Sequence, residues 1–229
     1  KFGSKNDLLL MPCIVFMIIA LFMSYSRGAV IILAGLIIIS TISSIFTGLK
    51  PWQIITFLCT VIFIAFPVGY YMGWENLEAR LMTLYTDSLS GRLFIYEATY
   101  TMIHQYVLSD LNPSPFGSGP GTFETVIQFE LGRDLTVWES FAHNDYLETI
   151  LTFGIPGTTL ILIIIVCLSI LLIINVFYSN SRTLIIFIII SLIGISVQAI
   201  GDYPFQVYSL LLIITIISAT GSKINDSNY

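Results

Sequence analysis

Six uninterrupted apolar runs govern what this chain can fold into. They cover roughly Leu8–Tyr25, Ala29–Phe46, Trp52–Met72, Thr158–Tyr178, Thr183–Ile200 and Phe205–Thr220, and none contains Asp, Glu, Lys or Arg. A helix needs about 20 apolar residues to cross the hydrocarbon core of a bilayer, and each run is of that order and is bounded by charge, Gly or Pro. Only 10% of the 229 residues are charged, against 56% hydrophobic, whereas a soluble domain is about 25% charged. Too few polar side chains exist to coat a soluble surface. The expected fold is therefore all-α, a polytopic transmembrane bundle of about six spans, and its expected solvent is the lipid bilayer. A formal net charge of −5 lacks the basic stripe of a nucleic-acid binder. The three cysteines, Cys13, Cys59 and Cys167, all lie inside apolar runs. Their odd number and spacing suit neither a disulfide framework nor a metal site.

Between the third and fourth runs the chemistry changes. Gly73–His143 is rich in Gly, Pro, Asn and Ser. Through Glu148 it carries eleven carboxylates against Arg80, Arg92 and Arg133, a net of −8. A stretch this long and polar is expected to be an extramembrane subdomain, since long loops are usually functional. The expected partition is 1–72, three spans; 73–145, the large loop; and 146–229, a re-entry helix and three more spans. Lys1 is not an initiator methionine and the first run begins after seven residues, so a longer protein is expected to precede it.

Sidedness follows from the short connectors. With the large loop outside, the inner connectors hold Lys1, Lys5, Lys50, Arg182 and Lys223, and the outer ones hold only Arg27. That distribution satisfies the positive-inside rule. Arg27 is then the exception, at the mouth of two spans. An arginine near membrane depth is costly, so it is expected either to have an anionic partner or to snorkel to lipid phosphate.

Two segments share a layout. Ser26-Arg27-Gly28 opens the second span, and Ser90-Gly91-Arg92 opens a helical stretch in the loop with a stripe of Leu93, Tyr96, Tyr100, Ile103 and Val107. Each serine can cap a helix while backbone N–H groups point outward. Each arginine lies in a first turn, where the helix dipole prefers carboxylates. Arginine at that end makes sense when an anion fills the site, and its planar fork suits phosphate oxygens.

Asn112–Gly121 combines three prolines with glycines that permit tight turns. It is expected to be an elbow, or else to touch a ligand, with a short helix over Thr122–Leu131. The loop ends in Phe141-Ala142-His143-Asn144-Asp145-Tyr146-Leu147-Glu148. His143 can accept a proton near neutral pH, or can be a hydrogen-bonded interfacial residue. A metal site of His143, Asp145 and Glu148 is a further alternative. Asn144 or Asp145 is expected to cap the next helix, which meets a break at Gly154-Ile155-Pro156-Gly157. His104 reads as structural, and the acidic excess as a solvated face. In the last outer turn, Gly201-Asp202-Tyr203-Pro204, Asp202 either pairs with Arg27 or Arg92 or caps a helix.

Together these motifs resemble the O-antigen ligase/polymerase family. The resemblance rests on Ser26-Arg27-Gly28-Ala29, on Ser90-Gly91-Arg92 with Tyr96, and on Pro115-Phe116-Gly117-Ser118-Gly119-Pro120-Gly121-Thr122-Phe123. It continues through His143-Asn144-Asp145-Tyr146-Leu147, Gly154-Ile155-Pro156-Gly157 and Asp202-Tyr203-Pro204-Phe205, spanning about Ser26 to Gly221. Tyr96 stands where the family pattern has Trp. The resemblance also implies about twice as many spans as the six runs found here.

The resemblance implies a GT-C-like fold and an inverting glycosyltransferase using neither metal nor nucleotide sugar, and no other cofactor. Its donor would be a glycan on undecaprenyl diphosphate, and its acceptor a hydroxyl of a second glycan or of a lipid core. Its place would be the bacterial cytoplasmic membrane, with the loop facing the periplasm or exterior. In that chemistry Arg27 and Arg92, with Ser26 and Ser90 at their helix starts, would hold the diphosphate. His143 would act as general base, supported by Asp145, Tyr96 and Asp202. The competing expectation is a transporter or flippase for a lipid-linked or anionic solute. Transporters favour broken helices and charge at the bilayer midplane, whereas here charge gathers at one face. A membrane anchor presenting a binding loop leaves Arg27 without a reason.

Overall fold

The computed structural model describes residues 16–21, 26–46, 51–71, 78, 82, 90–108, 114–131, 140–179 and 181–223. Every regular element among them is helical. The chain divides into two units, residues 1–88 and 89–229.

In the first unit α1 (Arg27–Phe46) packs on α2 (Pro51–Tyr71). Twenty residues at about 1.5 Å each give roughly the 30 Å of a bilayer core, and Gly28–Phe46 is apolar enough to cross one. The hydroxyls of Thr41 and Ser44 donate to carbonyls four residues back, at 2.7 Å each. These two donors are thus satisfied within the helix, as a lipid surrounding demands. Residues 16–21 are helical; the rest of the Leu8–Tyr25 run lies outside the described residues.

The second unit begins with α3 (Ser90–Met102), which widens into a π-helical turn (Ile103–Val107). Then come α4 (Phe123–Leu131), α5 (Asp145–Tyr178), α6 (Arg182–Gln198), a 3-10 turn (Pro204–Gln206) and α7 (Tyr208–Lys223). α5 is the spine. Its beginning packs against α3, the π turn and α4, around Met102, Phe123, Ile127 and Leu151, all at most 1% exposed. Its far end packs against α6 and α7, where Leu172, Ile185 and Ile188 form a second core. Between these cores Ile163, Ile164, Ile165 and Val166 are each about half exposed, 48–52%. An apolar surface of this kind belongs in lipid.

α5 is 34 residues and apolar enough to span. At about 1.5 Å per residue it is roughly 50 Å long, well beyond the ~30 Å of hydrocarbon, so part of it stands outside. The break at Gly154 (φ 66°, ψ −169°) divides it. Pro156 follows, and the loop Pro115–Gly119 fills the break. Ile155 N donates to Pro115 O at 2.9 Å, Ser118 N to Leu151 O at 2.9 Å and Gly119 N to Thr152 O at 2.8 Å. The helix carbonyls freed by the kink are therefore satisfied by a loop more than thirty residues away in sequence. Contact is backbone on backbone: a Cβ on Gly154 would lie 2.0 Å from Pro115 O, and one on Gly117 2.5 Å from Gly154 N. The proline-glycine segment is thus an elbow, as its composition predicts, and it serves as a splint for α5.

The stripe of α3 is buried in part: Ile103 is 6% exposed and Val107 in the π turn 2%, whereas Leu93 and Tyr100 are 48% and 58% exposed, and Ile95, Ala98, Thr99 and Met102 complete the buried face. Both stripes have helical spacing. The buried one is chosen by the packing of α4 and α5 against it, and the tyrosines turn their polar ends outward or to hydrogen bonds.

Candidate functional site at the α3, α5 and α6 junction

Three chain segments meet at one end of the second unit's core, and each is fixed by local chemistry. The first is the start of α3. Arg92 and Tyr96 stand one turn apart, on the same face of the helix. The Arg92 Nη1 donates to Gly201 O. The Tyr96 hydroxyl donates to His143 O at 2.8 Å and also reaches Ile200 O at 3.5 Å. One helical face therefore grips both other segments.

The second segment leads into α5. Asn144 is the N-cap, and its Oδ1 accepts from Tyr146 N and Leu147 N, both at 3.1 Å. Asp145 and Glu148 occupy the first turn, where the helix dipole favours carboxylates. Neither belongs to a solvated acidic face: Asp145 is 1% exposed and Glu148 4%. Asp145 Oδ2 accepts from Phe205 N at 2.8 Å, while Asp145 N donates to Ala199 O at 3.0 Å. Glu148 Oε2 accepts from the amide of fully buried Ala142 at 2.9 Å. Between Ala142 and Asn144, His143 adopts φ +51°, the one positive φ at a non-glycine among the described residues. Such a conformation costs of order 1–3 kcal/mol and persists only where its surroundings over-determine it.

The third segment is the turn after α6. Asp202 does not cap the 3-10 turn through its side chain. Its carboxylate accepts from Tyr203 N and Gln198 Nε2, both at 3.1 Å, and its Oδ1 lies 3.8 Å from His143 Nδ1. The imidazole of His143, facing it at 3.8 Å, is the main cause holding the Asp202 carboxyl below the usual range. Partial burial opposes it, and Tyr203 N, Gln198 and the Arg92 charge add to it. Tyr96 moves the other way. Burial pushes its hydroxyl above the ordinary tyrosine value, with Arg92 opposing and Asp202 adding to the rise. It stays a donor to His143 O well into the alkaline range. Tyr203 stacks on Phe141 (4.4 Å, 10°) and meets His143 edge-on (5.1 Å, 65°).

Of the residues singled out in the sequence, the structure brings together Arg92, Tyr96, His143 and Asp202, with Asp145 tying the floor. Arg27 and Ser26 belong to the first unit. There Ser26 does cap, its Oγ accepting from Ala29 N at 3.3 Å; the Arg27 side chain lies outside the described residues. Ser90 is the first residue of α3, and its side chain is likewise outside them. His104 is exposed and pairs with the Tyr100 hydroxyl at 3.0 Å. Glu148 and the Phe141–Tyr203 pair were not anticipated as structural parts of the site. The one advance signal for Glu148 is a carboxylate one turn past the cap.

The arrangement joins a partly exposed imidazole, a carboxylate that orients it, and a guanidinium at a helix start. It can take a proton from a hydroxyl and stabilise developing negative charge. A family model described as O-antigen ligase matches residues 12–162, well over half of the chain, including α3, the splint loop, His143 and the Gly154 break. No curated protein and no solved structure matches.

Proposed function

The chain belongs to the O-antigen ligase family, and on that premise we propose that it transfers a glycan from undecaprenyl diphosphate to an acceptor hydroxyl at the outer face of the bacterial cytoplasmic membrane. The observation that carries this reading is the pairing of His143 with Asp202 beside Arg92. His143 Nδ1 faces the Asp202 carboxylate, and Nε2 is the nitrogen assigned to the acceptor in this reading. The acceptor oxygen attacks the anomeric carbon from the face opposite the leaving group and gives its proton to Nε2. The bond from the anomeric carbon to the diphosphate oxygen breaks with its electron pair, and the configuration inverts. Asp202 stabilises the imidazolium. Arg92 meets the charge growing on the diphosphate, where preorganised cations are most effective.

Arg27 joins this reading through its own chemistry, a guanidinium in the first turn of α1, whose free amides also suit an anion. Ser26 and Ser90 open the two helices concerned. Tyr96 and Asp145 hold the imidazole's chain segment in place. The acidic loop would face the periplasm or exterior, with about six spans beneath it; among the described residues two helices are long and apolar enough to cross a bilayer. This chemistry needs no metal. Ligase and polymerase differ only in whether the acceptor is a lipid core or a second lipid-linked glycan.

The test uses the full-length protein in liposomes with a lipid-diphosphate-linked glycan and an acceptor. Release of lipid diphosphate coupled to a lengthened or conjugated acceptor is expected. Movement of the intact donor across the bilayer, with no diphosphate released, would establish a transporter instead.

A further inference from the structure

Glu148 is a buried carboxylate that the proposed chemistry does not use. It lies inside the first turn of α5, and its Oε2 accepts the amide hydrogen of Ala142 at 2.9 Å. In the common capping box a carboxylate at the third helical position reaches back to the amide of the cap residue itself. Here the cap is Asn144, Glu148 is the fourth helical residue, and it reaches two residues further back. The cap and the clamp therefore hold the chain on either side of His143. Ala142, on one side, is fully buried in the α3–α4–α5 core. Asn144, on the other, is fixed by the amides of Tyr146 and Leu147. One residue is left to join two fixed points, and it takes the left-handed conformation, φ +51°. Tyr96 closes the frame by donating to the His143 carbonyl at 2.8 Å.

We propose that Glu148 is a positioning residue for His143: its hydrogen bond to Ala142 N holds the left-handed turn that aims the imidazole at Asp202. A β-carbon at positive φ projects differently from one in ordinary backbone. Release of the Ala142 amide lets His143 relax, and the ring then leaves its partner. The inference rests on the functional reading above and adds to it a residue acting through main-chain geometry.

The experiment measures glycan transfer by the full-length protein in liposomes. Glu148→Gln keeps a carbonyl oxygen at the same reach and cannot ionise. Glu148→Asp keeps an ionisable carboxyl and shortens the reach. Glu148→Ala removes both. If the grip on Ala142 is what matters, Gln lowers kcat by no more than about fivefold, the difference between a charged and a neutral acceptor. Asp and Ala lower it by roughly 100-fold, the cost of a misplaced catalytic group. KM for the lipid-linked donor stays within about twofold, since ground-state binding is untouched. In a His143→Ala background Glu148→Ala adds almost nothing, because groups acting as one unit are not additive.

Gln as damaging as Ala, Asp more active than Gln, or a full additional loss in the His143→Ala background would each overturn the assignment. Where the alanine variant does not accumulate in membranes, the order of Gln and Asp still decides. A wild-type protein that transfers no glycan overturns the functional reading and this inference with it. A transferring wild type with the wrong order among its variants overturns the positioning alone.

Discussion

His143 Nδ1 stands 3.8 Å from Oδ1 of Asp202, with 26% and 31% of the two side chains exposed. Both groups are therefore open enough to meet a substrate and close enough to share a charge. A positioned general base contributes roughly 10²–10⁴-fold to rate, and a carboxylate behind it fixes ring orientation and stabilises the imidazolium. Asp202→Asn is expected to lower kcat in the liposome assay by roughly 10- to 100-fold, part of the base's contribution, with little change in donor KM. His143→Ala is expected to fall at or below that level.

The same pair predicts a pH dependence of stability. The Asp202 carboxyl is held below its ordinary value by His143 first and by its other donors after that. A group depressed in the folded state stabilises fully above its unfolded value, and that contribution is lost as pH falls through the folded one. Thermal melts in detergent should therefore show stability declining as pH drops below the ordinary carboxylate range. Asp202→Asn should flatten that part of the curve, and an unchanged slope would separate the pair from stability altogether.

Arg92 holds Gly201 O through one nitrogen of its fork, leaving other N–H groups for an anion. Arg92→Lys retains charge but not the planar geometry. Loss of one preorganised donor to developing charge costs roughly 10²–10³ in kcat. Arg92→Ala is expected in that range and Arg92→Lys between it and wild type, read as lipid diphosphate released per minute. Equal rates for all three would remove Arg92 from the leaving-group site.

What the sequence disclosed and what it concealed divide along physical lines. Spans are legible because lipid demands long unbroken apolar runs; α1 and α5 meet that demand by length and composition. The Asn144 cap and the turns at Gly117, Gly119 and Gly121, all at positive φ, are legible because cap and turn residues act within a few positions. The partner of His143 is not. Asp202 lies 59 positions away, and only the packing of α6 on α5 brings it near. For the same reason the spacing of α3 alone does not select its buried face: two stripes of equal period differ only in what packs against them. Glu148 shows the same limit in electrostatics, since an acidic residue in an acidic loop reads as solvated until its burial is known.

Tyr96 ties α3 to the turn that carries His143 through its hydroxyl. It donates to the carbonyl of strained His143. Tyr96→Phe keeps the ring and removes that donor, a loss of about 1 kcal/mol or more when a part-buried acceptor goes unpaired. We expect a small fall in melting temperature and roughly a tenfold fall in kcat, that energy expressed at the base. Because burial raises the Tyr96 ionisation, its stabilisation is complete below the ordinary tyrosine value and is lost only as pH rises through the higher folded one. The phenylalanine variant should lack this alkaline loss.

The splint predicts a stability effect away from the chemistry. Gly154 at φ 66° and Gly117 at φ 75° approach each other so closely that a Cβ on either strikes main-chain atoms. Nothing there can move aside as a side-chain tip could, since the obstacles are Pro115 O, Leu151 O, Thr152 O and the glycine amides themselves. Backbone strain and overpacking each cost roughly 1–3 kcal/mol. Gly154→Ala or Gly117→Ala should therefore destabilise by roughly 2–5 kcal/mol, seen as lower melting temperature and less protein in the membrane. At Gly119, where a Cβ would meet only the Thr122 methyl at 3.5 Å, alanine carries the strain of its positive φ without the collision and should cost less. If Gly154→Ala melts no lower than Gly119→Ala, the loop does not brace the break in α5, and the helix must be bent by Pro156 alone.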